Sequence, residues 1–97
     1  MTKISVLIPA YNEEKSIWKC INSCLIQTRK PDEVVVVNDG STDKTLEILK
    51  GFLGKITIVN LKKNTGNKSK AQEIGLRFVS GDIFISTDGD TILTETL

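Results

Sequence analysis

Apolar residues along the chain follow two rhythms, and the rhythms alternate. Residues 3–8 are rich in Ile and Val with one polar break at Ser5, which predicts a strand, and Pro9 is expected to end it. Ile17, Ile21, Cys24 and Thr28 then recur at helical spacing with Trp18 and Leu25 beside them, which predicts a helix ending near Thr28. Asn12 is expected to cap that helix, Glu13 and Glu14 suit the positive end of its dipole, and Pro31 prevents its continuation. Val34-Val35-Val36-Val37, inside a strand expected over 33–38, are β-branched without alternation, the pattern of a parallel strand buried on both faces. Ser41 or Thr42 is expected to cap a second helix carrying Leu46, Leu49, Phe52 and Leu53, with Gly54 as its stop. A third strand over 55–61, a polar loop over 62–68, a helix over 69–80 and a fourth strand over 82–87 complete the series.

Strand and helix units in this order build an α/β fold: an open, mostly parallel sheet with helices on both faces, of the Rossmann-like kind. Such sheets bind ligands at the carboxyl ends of their strands. Four polar, turn-prone clusters stand at those positions: Pro9-Ala10-Tyr11-Asn12, Asp39-Gly40-Ser41, Asn64-Thr65-Gly66 and Asp88-Gly89-Asp90. The expectation is that they converge on one edge.

Composition narrows the chemistry. With 97 residues the chain is one domain at most, and a chain this short buries only about 60–65% of its unfolded surface. A hydrophobic share of 39% and a charged share of 26% fit a globular domain. The net charge of +1 gives no electrostatic case for nucleic acid or an anionic membrane. The longest apolar runs, 6–8 and 34–37, are far below the roughly 20 residues of a membrane helix, and the early apolar stretch is too short for a signal peptide. A cytoplasmic location is expected. Cys20 and Cys24 lack C-x-x-C spacing and read as core-facing thiols. There is no histidine, so any metal must be held by oxygen ligands.

Each cluster has a functional and a plain reading. Asp39 either accepts hydrogen bonds from a ribose hydroxyl or base N–H, or simply makes an Asp-Gly turn. Tyr11 either stacks on a base or ribose, or covers the sheet edge. Asp88 and Asp90, brought together by a bend at Gly89, suit Mg or Mn bridging to substrate phosphates, against another Asp-Gly turn. Lys70 or the backbone amides near it either meet phosphate oxygens or belong to a solvated basic loop. Gly66-Asn67-Lys68-Ser69 lacks the spacing of a P-loop.

Taken in order, these stretches resemble the family 2 glycosyltransferases. Ile4 to Glu14, Val36-Val37-Asn38-Asp39-Gly40-Ser41-Thr42-Asp43, and the stretch from Asn64 to Thr91 with Lys68-Ser69-Lys70-Ala71, Gly75-Leu76, Gly81-Asp82 and Asp88-Gly89-Asp90-Thr91 carry the resemblance over essentially the whole chain. The resemblance implies a GT-A fold, a nucleotide-diphosphate sugar donor, most often UDP-linked, and a divalent cation. By position it implies that Tyr11 and Asp39 contact the base beside the Pro9 and Ala10 backbone, that Lys70 lies near the nucleotide, that Asp88 reaches the ribose or the metal shell, and that Asp90 ligates the metal. Asn38 departs from the family, many of whose members carry a second Asp there. Gln72-Glu73 departs where relatives often show Leu-Asn or Arg-Asn.

Family members are commonly more than twice this length, with the acceptor half and catalytic base after the D-x-D motif. The expectation is therefore that residues 1–97 are the nucleotide-sugar-binding part of a truncated domain, with no catalytic residue of its own and the base expected beyond Leu97. On this reading membrane association is left open for the full-length parent. The alternative is a non-catalytic module that self-associates through an open sheet edge or an apolar face. A dinucleotide-binding domain is disfavoured because Pro9-Ala10-Tyr11-Asn12 stands where a glycine-rich turn is required.

Overall fold

The computed structural model describes residues 3–27 and 30–87. Among these residues seven elements follow one another: β1 (Ile4–Ala10), α1 (Ile17–Leu25), β2 (Glu33–Asp39), α2 (Thr45–Lys50), β3 (Thr57–Leu61), α3 (Lys68–Leu76) and β4 (Ile83–Ser86). The strands form one sheet in the order β3-β2-β1-β4, and every pairing is parallel.

Alternation across β1 and β2 divides the core into two layers. Val6, Ile8, Ala10, Val34 and Val36 face α1 and α2, where they pack with Ile17, Cys20, Ile21, Cys24, Leu49 and Phe52. Leu7, Val35, Val37 and Val59 face the opposite way, against Ala71 and the partly buried Ile74 of α3. The unbroken valine run is thus buried on both faces, as its lack of alternation requires. Both cysteines lie in the first layer as free thiols.

Several boundaries differ from the sequence reading. Pro9 does not end β1, which continues through Ala10 with Pro9 opposite Val37. The carbonyls of Lys3 and Leu7 accept from Asp82 and Thr87 on the β4 side, whereas that of Ile4 accepts from Asp32 on the β2 side. The alternation turns the Pro9 nitrogen toward β4, whose ladder stops at Leu7 opposite Ser86. Pro9 therefore falls where the β4 ladder ends and leaves the pairing with β2 intact, so proline is tolerated in this strand.

Asn12 does not cap α1. It sits in the left-handed region at φ 50°, and α1 starts five residues later behind a turn in which Ser16 and Ile17 N–H donate to the Glu13 carbonyl. At the other end Ile26 N–H donates to the Asn22 carbonyl and the Gln27 side chain donates to that of Ser23, closing the helix at Leu25. Thr28, the end expected from the sequence, lies outside the described residues.

Neither Ser41 nor Thr42 caps α2. The N-cap position is Lys44, and the Asp43 side chain just before it takes hydrogen bonds from the N–H and hydroxyl of Thr45. The last helix is shorter than expected and starts at Lys68, capped by the Asn67 side chain on Lys70 N–H at 2.8 Å.

Candidate functional site

The carboxyl ends of β1 and β2 are bound together by the loops that leave them. Asn12 Oδ1 accepts from Thr42 N–H at 2.8 Å and Asp43 N–H at 3.3 Å, while Asn12 N–H donates to Ser41 Oγ at 3.0 Å. Glu13 N–H donates to Thr45 Oγ1 and Glu14 N–H to Asp43 Oδ2. The left-handed backbone at Asn12, a conformation asparagine tolerates, turns its amide toward the neighbouring loop. Asp43 is therefore a shared acceptor. Burial pushes its carboxyl up, but the hydrogen bonds from Thr45 and Glu14 outweigh it and leave it below the ordinary carboxylate value.

A second set of bonds ties the end of β2 to the loop after β3. Asp39 is 4% exposed, and its two carboxylate oxygens accept from Thr65 N–H at 2.9 Å and Thr65 Oγ1 at 2.8 Å. The Asp39 carbonyl accepts from Asn64 Nδ2, whose Oδ1 in turn accepts from Gly66 N–H. Gly40, at φ 67°, lets this loop pass so closely that a Cβ there would stand 2.4 Å from Asn64 N.

Between these loops lies a cavity of about 330 Å³ lined by Pro9, Ala10, Tyr11, Glu13, Asp39, Asn64, Gly66, Asn67, Lys68 and Ala71. Its size falls in the usual range of roughly 300–1,000 Å³ for small-molecule sites. Tyr11 is half-exposed on its rim, and apolar floor positions come from Pro9, Ala10 and Ala71. Two carboxylates and one ammonium line it, so both hydrogen-bond donors and an anion find partners there.

Three of the four clusters named from sequence therefore meet, and Pro9, Ala10, Tyr11 and Asp39 all line the cavity. Lys70 stands exposed in the first turn of α3 and is not in the lining, which Lys68 joins instead. Asp88 and Asp90 lie outside the described residues. Among the described residues no three His, Cys, Asp or Glu side chains gather closely enough to hold a metal ion. Thr87, the last residue described, is buried and donates its N–H to the Leu7 carbonyl.

Sequence reasoning overlooked Glu13, Asn67 and Lys68 as lining residues and Thr65 as the partner of Asp39. Their only local signal was membership of the turn-prone stretches after β1 and β3.

The family model described as Glycosyl transferase family 2 matches residues 5–97. The glycosyltransferase GlyA of Streptococcus pneumoniae is 40% identical over 91% of this chain and 13% of its own length. TarS residues 1–349 from Staphylococcus aureus, crystallised with UDP, superpose with a TM-score of 0.89 at 34% identity, over 97% of this chain and 29% of that one. The mannosyltransferase PcManGT of Pyrobaculum calidifontis, crystallised with GDP-Man and Mn2+, gives 0.83 at 30% identity, over 92% and 28% respectively. The fold is that of these GT-A enzymes. The chain spans 13% to 29% of the length of these relatives.

Proposed function

The chain belongs to glycosyl transferase family 2, and from that premise we propose that the cavity at the ends of β1 and β2 is the donor site for a nucleotide-diphosphate sugar, UDP-linked by preference. The observation that carries this reading is the convergence of Pro9, Ala10, Tyr11, Asp39 and the 64–68 loop around one cavity at the carboxyl edge of a parallel sheet. Tyr11 offers a ring to a base or ribose, and the Asp39 carboxylate, with about four acceptor positions of which Thr65 takes two, retains acceptors for a ligand N–H or O–H. Lys68 supplies positive charge for phosphate oxygens, and Lys70 adds to the field at the start of α3. Relatives crystallised with UDP and with GDP-Man support the substrate class.

Residues 1–97 then serve as the nucleotide-sugar-binding part of a larger domain. A divalent cation fits the chemistry of the donors available, since the chain has no histidine and both cysteines are buried in α1. Asp90, with Asp88, would hold it as an oxygen-liganded Mg or Mn ion, and its contribution is to neutralise the diphosphate leaving group. Of the carboxylates in the lining, Asp39 is engaged by Thr65, and Glu13 accepts from Ser16 Oγ at 3.1 Å. The base that deprotonates an acceptor for inverting transfer is therefore assigned to protein outside the described residues.

Calorimetric titration tests the site. UDP with Mn is expected to bind, Asp39→Asn to weaken binding about 10- to 100-fold, as loss of a charged acceptor does, and Asp90→Asn to abolish the dependence on metal. Absence of UDP binding at millimolar concentration would sink the assignment.

A further inference from the structure

We propose that Thr65 is a positioning residue for the nucleotide, acting through Asp39: it fixes the carboxylate in a ligand-ready orientation before anything binds. This rests on the donor-site reading above and extends it to a residue that does not line the cavity.

The geometry is unusually complete for one side chain and its own backbone. Thr65 N–H reaches Asp39 Oδ1 at 2.9 Å and Thr65 Oγ1 reaches Oδ2 at 2.8 Å, so both oxygens are claimed by one residue. Two bonds to two oxygens fix both the tilt of the carboxylate and its rotation about the Cβ–Cγ bond, a torsion that is otherwise broad. Because each oxygen keeps an acceptor position, the clamp orients the group without consuming it.

The clamp is itself held. Asn64 Nδ2 binds the Asp39 carbonyl, Gly66 N–H binds Asn64 Oδ1, and Gly40 brings the two backbones into contact. Thr65 Oγ1 has one proton and two acceptors in reach, Asp39 Oδ2 at 2.8 Å and the Asn67 carbonyl at 2.9 Å. The carboxylate oxygen, at the shorter distance, takes the larger share. A carboxylate oriented in advance spares the ligand the entropy of ordering it, which is how a group outside the contact surface raises affinity.

The test separates a positioning role from a structural one. Thr65→Val removes the hydroxyl at nearly constant shape and leaves the N–H, while Thr65→Ser keeps both donors. UDP titrated with Mn is expected to bind Thr65→Val about tenfold more weakly than the parent, the loss of one charge-assisted hydrogen bond. Thr65→Ser is expected to recover most of that affinity. Pyrophosphate with Mn, which has no base or ribose, is expected to bind parent and Val variant alike. In an Asp39→Asn background Thr65→Val is expected to cost much less than in the parent, because the two residues act as one unit.

Equal UDP affinity for Val variant and parent would overturn the proposal. So would an equal loss in both backgrounds, or a matching loss for pyrophosphate. A parent that binds pyrophosphate with Mn but not UDP overturns the donor-site reading itself, an outcome distinct from failure of the clamp alone. Should the Val variant not fold, Thr65→Ala, which also removes the hydroxyl and leaves the N–H, takes its place in the parent and in the Asp39→Asn background. A loss from Thr65→Ala as large in the Asp39→Asn background as in the parent overturns the proposal.

Discussion

Single carboxylates hold this fold together at both ends of the sheet, and they do so by collecting donors from distant segments. At the amino end Glu33 accepts from Ser5 Oγ at 2.8 Å, Ser80 N–H at 2.9 Å and Ser80 Oγ at 3.2 Å, tying β1, β2 and the approach to β4 together. Burial pushes its carboxyl up, yet these bonds and the charge of Lys3 outweigh it and bring it below the ordinary value. Asp43 plays the same part at the carboxyl end. Both groups are lowered in the folded chain, so the unfolded chain binds more protons. Their contribution to stability is fully present above the ordinary carboxylate range and is lost as pH falls through the lowered folded-state values. Thermal unfolding measured against pH is expected to show a steep fall in Tm on that acid side, and Glu33→Gln with Asp43→Asn to flatten it. An unchanged slope in the double variant would show that other carboxylates govern acid unfolding.

At the scale of elements, close approach decides which small residues are indispensable. Gly40 and Gly75 both lie where a Cβ would collide, but with different things. At Gly40 the obstacles are backbone atoms, Asn64 N at 2.4 Å and the Lys63 carbonyl carbon at 2.7 Å, and φ is 67°. At Gly75, where α3 crosses the sheet, they are side-chain tips, Leu7 Cδ1 at 2.5 Å and Val37 Cγ2 at 2.7 Å. Side-chain tips rotate and backbone does not. Gly40→Ala is expected to cost about 2–4 kcal/mol, combining positive-φ strain with displacement of the 64–68 loop. Gly75→Ala is expected to cost about 1–2 kcal/mol, since overpacking is partly offset by better helix propensity. Urea denaturation of the two variants checks the order. UDP affinity should fall with Gly40→Ala beyond what stability explains, because that glycine carries the contact between the two loops of the cavity.

The whole molecule is an open sheet with β3 and β4 as its outer strands. Neither has a second neighbour among the described residues, and Phe78 and Phe84 are 50% and 43% exposed, Phe84 within β4 itself. Exposed strand edges and exposed aromatic side chains favour self-association. Sedimentation velocity is expected to show mass rising with concentration, and Phe84→Lys to reduce it. A single monomeric species at all concentrations would remove this reading. No helix among the described residues is long and apolar enough to cross a membrane.

Much of this architecture can be read along the chain. The valine run announces a strand buried on both faces, and Ile17, Ile21 and Cys24 announce the face of α1, because side-chain direction follows a fixed local period. The clusters at strand ends are legible too, since turn-forming residues interrupt those periods. Asn12 reads locally as a helix cap, although its real partners, Thr42 and Asp43, lie 30 and 31 residues away. Nothing beside Thr65 in the sequence announces its grip on Asp39 across 26 residues. Local pattern determines what each segment becomes and which side it buries. Only the packed sheet, by setting β1 beside β2 and β2 beside β3, decides which loops touch, and a hydrogen bond requires atoms within about 3 Å whatever their distance in sequence.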